Sequence, residues 1–450
     1  MNAKTKITDM TVGNPTKHIL LFAIPLFIGN MFQQLYNTID SLIVGKYVSA
    51  DALAATGTCG SLSFLFFSLS SGLAIGIGII VSQYFGAKDD KGVRNTIANS
   101  VYILAVASLV VTILGFFLTR PLLTLMSTPP EILDDAVLYL RTTCCGIVFI
   151  AIYNGVASAL RALGDSKTPL YFLIVSSFLN IGFDLMFVLW FQMGVFGVAF
   201  ATVIAQAVSA AASLIYARLK VPYFKLTKEE LKPNKHIIAR SFKLGVPMAL
   251  QSSMIAISMI VIQGVVNGFG TTVMAAYTIT CKVDLIASQM YNAISASLTT
   301  YSGQNLGANK IDRVKGGYKR GVIIITVYNL IVIPIVYLFC QPITAFFVND
   351  ANVISFGADA LKITTVFYLV LGLIYVPRGV LNGCGDASFS LINGIAEVVC
   401  RIIFANLLTG IASVGMWGIW WATALTWTIV AIICNGRYFL GKWKTLKIKS

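Results

Sequence analysis

The chain has 450 residues, 57% of them hydrophobic and 11% charged, with a mean hydropathy of +0.81. A soluble globular protein carries roughly a quarter of its residues as charges, so these figures exclude a large water-soluble catalytic domain. The net charge is +15, but the basic residues sit in short loops, which excludes a nucleic-acid-binding surface as their explanation.

A bilayer-spanning helix needs ~20 mostly apolar residues, and the sequence offers twelve such runs. The N-terminus is polar through His18 and then enters a run at 19–45 with no small-residue cleavage site, which reads as a retained first span. Further runs follow at 52–80, 95–119, 134–160, 168–192 and 194–218. A polar segment, PYFKLTKEELKPNKH, interrupts the pattern, and six more runs follow at 240–268, 273–300, 317–341, 357–380, 389–412 and 415–438. The expected fold is therefore an all-α polytopic membrane protein of twelve transmembrane helices. The expected organisation is an N-terminal six-helix bundle (1–218), a basic cytoplasmic linker (219–239) and a C-terminal six-helix bundle (240–450). Gly72, Gly76 and Gly78 in the second span have the small-residue spacing of close helix packing. Eight cysteines lie within or beside apolar runs without metal or disulfide spacing, and read as reduced packing residues.

Basic residues orient the chain. With both termini cytoplasmic, 27 of the 33 Lys and Arg fall in cytoplasmic segments, including Lys4, Lys6, Lys447 and Lys449 at the ends. Lys46, Arg120, Arg141 and Lys362 alone fall outside, a strong positive-inside bias. The two halves also match each other at an offset of 221 residues. Gln83 pairs with Gln304, Gly86-Ala87 with Gly307-Ala308, Gly164-Asp165 with Gly385-Asp386, and Ala201-Thr202 with Ala422-Thr423. Six spans per half makes these parallel repeats, an arrangement typical of alternating-access transporters. Pro25 and Pro247 interrupt the first span of each half; Pro25 is a candidate hinge, with a static kink as the alternative.

Ionisable groups at membrane depth mark functional sites, because each costs at least ~2.5–3.5 kcal/mol to insert. At ~1.5 Å per residue, Asp40 lies about 9 Å inside the outer end of span 1. Asp184 in span 5 and Thr202 in span 6 each lie about 12 Å inside. Asn180 precedes Asp184 by four residues and shares its helical face. Two carboxylates, an amide and a hydroxyl at one depth, with no base near them, suit a proton or Na⁺. The second half lacks the set, since Asp184 maps to Ala405, Asn180 to Arg401 and Asp40 to Val261 or Ile262. Tyr36, Gln33 and Gln34 near Asp40 are candidates for lining a substrate cavity. In the second half, Lys282, Asp284, Glu397 and Arg401 sum to zero charge. They serve either as structural glue between spans 8 and 11 or as part of a substrate or proton path.

The segments FAIPLFIGNMFQQLYNTIDSLIVG (22–45), VSQYFGAKD (81–89), ALRALGDSKTP (159–169), FLNIGFDLMF (178–187), GVFGVAFATVIAQ (194–206) and GQNLGA (303–308) together resemble the multidrug and toxic compound extrusion family. The pattern is nearest its DinF-like branch. The resemblance covers nearly the whole chain and implies two six-helix bundles with a cavity between them. It implies a secondary transporter, not an enzyme, that exports amphipathic or cationic small molecules against an inward flow of H⁺ or Na⁺. It further implies a cation site of Asp40, Asn180, Asp184 and Thr202. The acids that the NorM-related branch uses in helices 7 and 10 are missing apart from Asp359 at an outer edge. A flippase for a lipid-linked precursor, from the same superfamily, is the alternative. The expected setting is the plasma or inner membrane, with both termini cytoplasmic. The chain is expected to act as a monomer, with no nucleic-acid partner and no cofactor beyond the coupling ion.

Overall fold

The computed structural model describes residues 7–126 and 128–446. The terminal Lys4, Lys6, Lys447 and Lys449 counted in the charge bias lie outside the described residues. Every regular element among the described residues is helical. The first half contains α1 (Pro15–Tyr47), α2 (Ala50–Gly86), α3 (Asp90–Leu125), α4 (Pro130–Cys145), α5 (Ile147–Ala162), α6 (Lys167–Leu185) and α7 (Gly194–Lys220). The second contains α8 (Lys235–Asn267), α9 (Thr271–Gly307), α10 (Ile311–Leu338), the short α11 (Cys340–Ala345), α12 (Ala351–Val366), α13 (Tyr368–Gly383), α14 (Ala387–Thr409) and α15 (Gly418–Leu440).

Nine of the described helices are long and apolar enough to cross a bilayer, and the bent pairs α4–α5 and α12–α13 make one span each. The twelfth is α9, whose 37 residues reach about 55 Å although it carries Lys282 and Asp284. Local chemistry starts several helices where the apolar runs begin. The Ser49 side chain accepts the Ala52 N–H at the start of α2. Asp165 accepts the N–H groups of Lys167 and Thr168 ahead of α6, and Asp350 does the same for Asn352 and Val353 in α12. Each cap satisfies backbone donors that the first turn leaves open.

The repeat is visible in backbone detail. Helices α1 and α8 are both 33 residues, and α2 and α9 both 37. The α4–α5 and α12–α13 pairs each bend by 44° at equivalent positions. Neither break contains proline; instead the N–H of Gly146 turns back to Thr143, and that of Phe367 to Thr364, three residues away. Left-handed glycines also recur in register, Gly164 with Gly385 and Gly194 with Gly415, where a Cβ would be strained.

The helices gather into two compact units, and their boundaries differ from those expected along the sequence. Among the described residues, one unit comprises 7–10 and 24–253, the other 11–23 and 254–446. The opening part of α1 therefore packs with the second half of the chain, where Ser297 Oγ donates to the Ile19 carbonyl at 3.0 Å and Arg313 reaches the Gly13 carbonyl. The opening part of α8 packs with the first half. The segment at 219–239 is not a free tether but belongs to the first unit. Phe224 is buried in its core, Tyr102 donates to the Leu231 carbonyl at 2.7 Å, and Asn234 N–H donates to Asn99. Within this segment the Thr227 backbone N–H holds the Glu230 carboxyl below the usual range, helped by Arg94.

Glycine makes the α2–α8 approach. A Cβ on Gly72 would run into the Ala249 backbone, and one on Gly76 would lie 2.7 Å from the Gly245 nitrogen, so the small-residue spacing does serve packing. The eight cysteines are all unpaired, and Cys59, Cys144, Cys340, Cys384 and Cys434 are buried. Gly72→Ala is expected to lower thermal stability in detergent by at least about 1–3 kcal/mol, the range for overpacking. Gly60→Ala, in the same helix with nothing within 4 Å, is expected to be neutral or stabilising by up to about 1 kcal/mol. Parallel melting curves of the two variants check the contrast.

Candidate functional site

In the first unit, α1, α4, α6 and α7 bring polar groups together at the edge of an apolar cluster. That cluster is built from Ile43, Val44, Ala52, Val188, Val195 and Val198, with Ile39, Tyr139 and Ile181 packed on it. Asp184 is fully buried, Asn180 is 2% exposed, and Asp40 and Thr202 are partly buried. The Asp40 and Asp184 carboxyls approach closely enough to share one proton. If both are ionised no donor lies between them, and Asp40 Oδ1 and both Asp184 oxygens have no partner. Among the described residues no ion pair neutralises either acid.

The remaining groups complete an oxygen-rich lining. Asn180 Nδ2 donates to the Thr202 hydroxyl at 3.4 Å, and Thr202 donates to the Val198 carbonyl at 3.2 Å. That pairing turns the amide nitrogen away and leaves Asn180 Oδ1 without a partner. The Tyr36 hydroxyl reaches Thr202. A cavity of about 20 Å³ opens here, lined by Gln33, Tyr36, Leu173, Ser176, Ser177, Asn180, Thr202, Ala205 and Gln206. That is room for about one water-sized occupant. Asn180 brings its unpartnered amide oxygen to this space, and Tyr36, which also lines it, lies within electrostatic reach of both carboxylates. Oxygens of these kinds are what a proton or a hard cation would satisfy, so the residues present fit Na⁺ as well as H⁺.

The structure thus gathers Asp40, Asn180, Asp184, Thr202, Tyr36 and Gln33, whereas Gln34 does not line the cavity. Pro25 is buried within α1, which continues through it as a single helix. Tyr139 on α4 reaches the same acids electrostatically and escapes a reading of the sequence, where nothing separates it from other span aromatics. Immediately after Asp184 the helix widens into a π-helical turn, Met186–Trp190. Such turns are rare and often accompany functional sites. The equivalent stretch, 407–411, has no such turn: α14 simply ends there, at Thr409.

At the positions equivalent to Asp40 and Asp184 the second unit is apolar. Ile262, Ala360 and Ala405 are fully buried, and the first two share a core with Trp420. Arg401 stands at the position equivalent to Asn180, and the acids Glu397 and Asp284 of this half gather around it. Arg401 Nη2 pairs with Glu397 at 3.2 Å, and the Tyr368 hydroxyl donates to Asp284 at 2.7 Å. Lys282 does not join them, contrary to the neutral group expected; it is exposed, with its ammonium 5.6 Å from the centre of the Phe347 ring. Lys282 and Asp284 are two residues apart and so point to opposite sides of α9. Asp359 pairs with Lys362 at the surface.

Twelve spans in two repeats, with a buried unneutralised acid pair, define a polytopic transporter-type membrane protein. The sequence model of the MatE family matches residues 25–186 and again 247–407, so each half carries one copy of the family pattern. The chain belongs to the MatE family. It is 30% identical to a probable multidrug resistance protein, YpnP, of Bacillus subtilis, covering 98% of this chain and 99% of the relative. It is 22% identical to the multidrug export protein MepA of Staphylococcus saprophyticus, over 92% of each. Among solved structures, the crystal structure of a MATE protein in complex with MaL6 superposes with a TM-score of 0.91 at 23% identity, over 98% of this chain and all of that one.

Asp184→Asn is expected to raise the melting temperature, because the new side-chain amide would donate to the bare Asp40 oxygen and the substitution removes a like charge. In sodium-free buffer at neutral pH the rise should be roughly 1–3 °C for about 1 kcal/mol. Scanning fluorimetry in detergent measures it.

Proposed function

We propose that this chain is a cation-coupled antiporter that exports amphipathic, cationic small organic molecules by alternating access. The observation that carries the reading is the Asp40–Asp184 pair, side by side below the protein surface and without a base. Loading it with H⁺ or Na⁺ removes repulsion that an apolar setting leaves unscreened. Ion occupancy is therefore favourable enough to alter how α1 packs. Asp40 lies 15 residues beyond Pro25 on one continuous helix whose opening residues belong to the other compact unit. A bend at Pro25 would transmit that change, so the ion and the organic substrate compete through α1.

The relatives named as multidrug exporters support the choice of substrate class. The setting is the cell membrane with both termini cytoplasmic, supported by the basic-residue bias, and each chain works alone with no cofactor other than the coupling ion. The flippase reading is less supported. Arg401 is paired with Glu397, and Lys282 is exposed over Phe347, so neither offers a pyrophosphate an isolated buried cation.

In proteoliposomes loaded with a fluorescent organic cation, Asp40→Asn and Asp184→Asn are each expected to reduce gradient-driven transport to the level of protein-free vesicles, with unchanged yield. Uphill transport at the wild-type rate by either variant would refute the proposal. Imposing pH and sodium gradients separately identifies the ion. If sodium drives transport, Asn180→Ala and Thr202→Ala should raise the sodium needed for half-maximal rate by about tenfold, the equivalent of ~1.4 kcal/mol in lost oxygen ligation.

A further inference from the structure

With Lys282 turned away, the buried charges of the second unit no longer cancel: Arg401 is the one base facing two acids, Asp284 and Glu397. Arg401 is 6% exposed and donates from Nη2 to Glu397, yet its Nε–H has no partner. Asp284 accepts the Tyr368 hydroxyl and lies within electrostatic reach of Arg401, but the two do not pair. A buried guanidinium with a donor to spare therefore sits near a carboxylate with acceptor capacity to spare.

We infer that Asp284 is a proton-binding site of the second unit, distinct from the Asp40–Asp184 pair. When Asp284 carries the proton, Arg401 is held by Glu397 alone, as seen here. When the proton leaves, the carboxylate, still accepting from Tyr368, draws the Arg401 Nε–H, and the side chain bridges the two acids. One proton moves on or off a carboxyl oxygen, and the accompanying change is the position of one side chain.

Arg401 is the base within electrostatic reach of Asp284; Arg378 on α13 stacks instead on Tyr375, which packs against Tyr291. On α9 itself Asp284 faces Tyr277, Cys281 and Tyr291. Helix α12 contributes Thr364, α13 contributes Tyr368, and α14 contributes Arg401. Helix α10 brings Tyr328, edge-on to Tyr291. The Tyr368 hydroxyl fixes one Asp284 oxygen, and Tyr368 is itself fully buried, so the carboxyl is held in place whichever state it adopts. A proton binding here is independent of the transport reading; that it would add a second proton to each cycle rests on that reading.

The test is infrared difference spectroscopy of the purified full-length chain between acidic and alkaline pH, reading the protonated-carboxyl band. Asp284→Asn is expected to remove one carboxyl's share of that band, both in the wild type and in the Asp40→Asn/Asp184→Asn background, while Asp284→Glu restores it. Tyr368→Phe should shift the frequency and pH midpoint of that share and preserve its amplitude. A band that survives Asp284→Asn unchanged in both backgrounds would overturn the inference. Should Asp284→Asn not fold, Tyr368→Phe decides, an unaltered spectrum being the overturning result. If the Asp40→Asn/Asp184→Asn protein still pumps, the transport reading fails, while the Asp284 signal remains a separate measurement.

Discussion

Two carboxyl groups pressed together in an apolar setting, without a base, cannot both be ionised and unaccompanied. Removing a carboxylate from water costs several kcal/mol even after relaxation, and the second like charge adds to it. Asp184 is fully buried, and Asp40 is partly buried beside the apolar cluster around Val188 and Val198. The Asn180–Thr202 bond points an amide oxygen, not a donor, at the free space. The site is consequently left with unpaired oxygens, which the proposed coupling ion would satisfy. A binding site that were fully satisfied when empty could not respond to an ion gradient.

The duplication shows how one scaffold supports two different interiors. Bends, left-handed glycines and helix lengths recur in register, so backbone geometry is common to both halves. Side chains diverge where the first half holds its acids, and there the second half packs Ile262, Ala360 and Trp420. The π-helical turn belongs to the acid-bearing half alone among the described residues. Local widening of the helix after Asp184 accompanies the site and not the fold.

The architecture is largely legible in the sequence because apolar runs report membrane spans directly, and helical rise converts residue number into depth. Depth places Asp40, Asp184 and Thr202 together, and four-residue spacing aligns Asn180 with Asp184. Depth carries no azimuth, however, so it groups Lys282 with Asp284 although about 200° of helical rotation separates neighbours two apart. Tyr139 and Tyr368 are invisible for a related reason: each reaches its acid from a bent helix pair, and the bends at Gly146 and Phe367 lack proline to announce them. The unit boundaries are equally hidden, since an apolar helix face does not reveal which neighbour will cover it.

Each compact unit takes the opening segment of its first helix from the opposite half of the chain. A protein consisting of one half alone would thus contain a glycine-lined bed on α2, at Gly72 and Gly76, with no occupant. Two such half-length chains could fill each other's beds by trading their leading segments. Reciprocal exchange of this kind is how a homodimer forms, and joining the two copies end to end would make the exchange permanent.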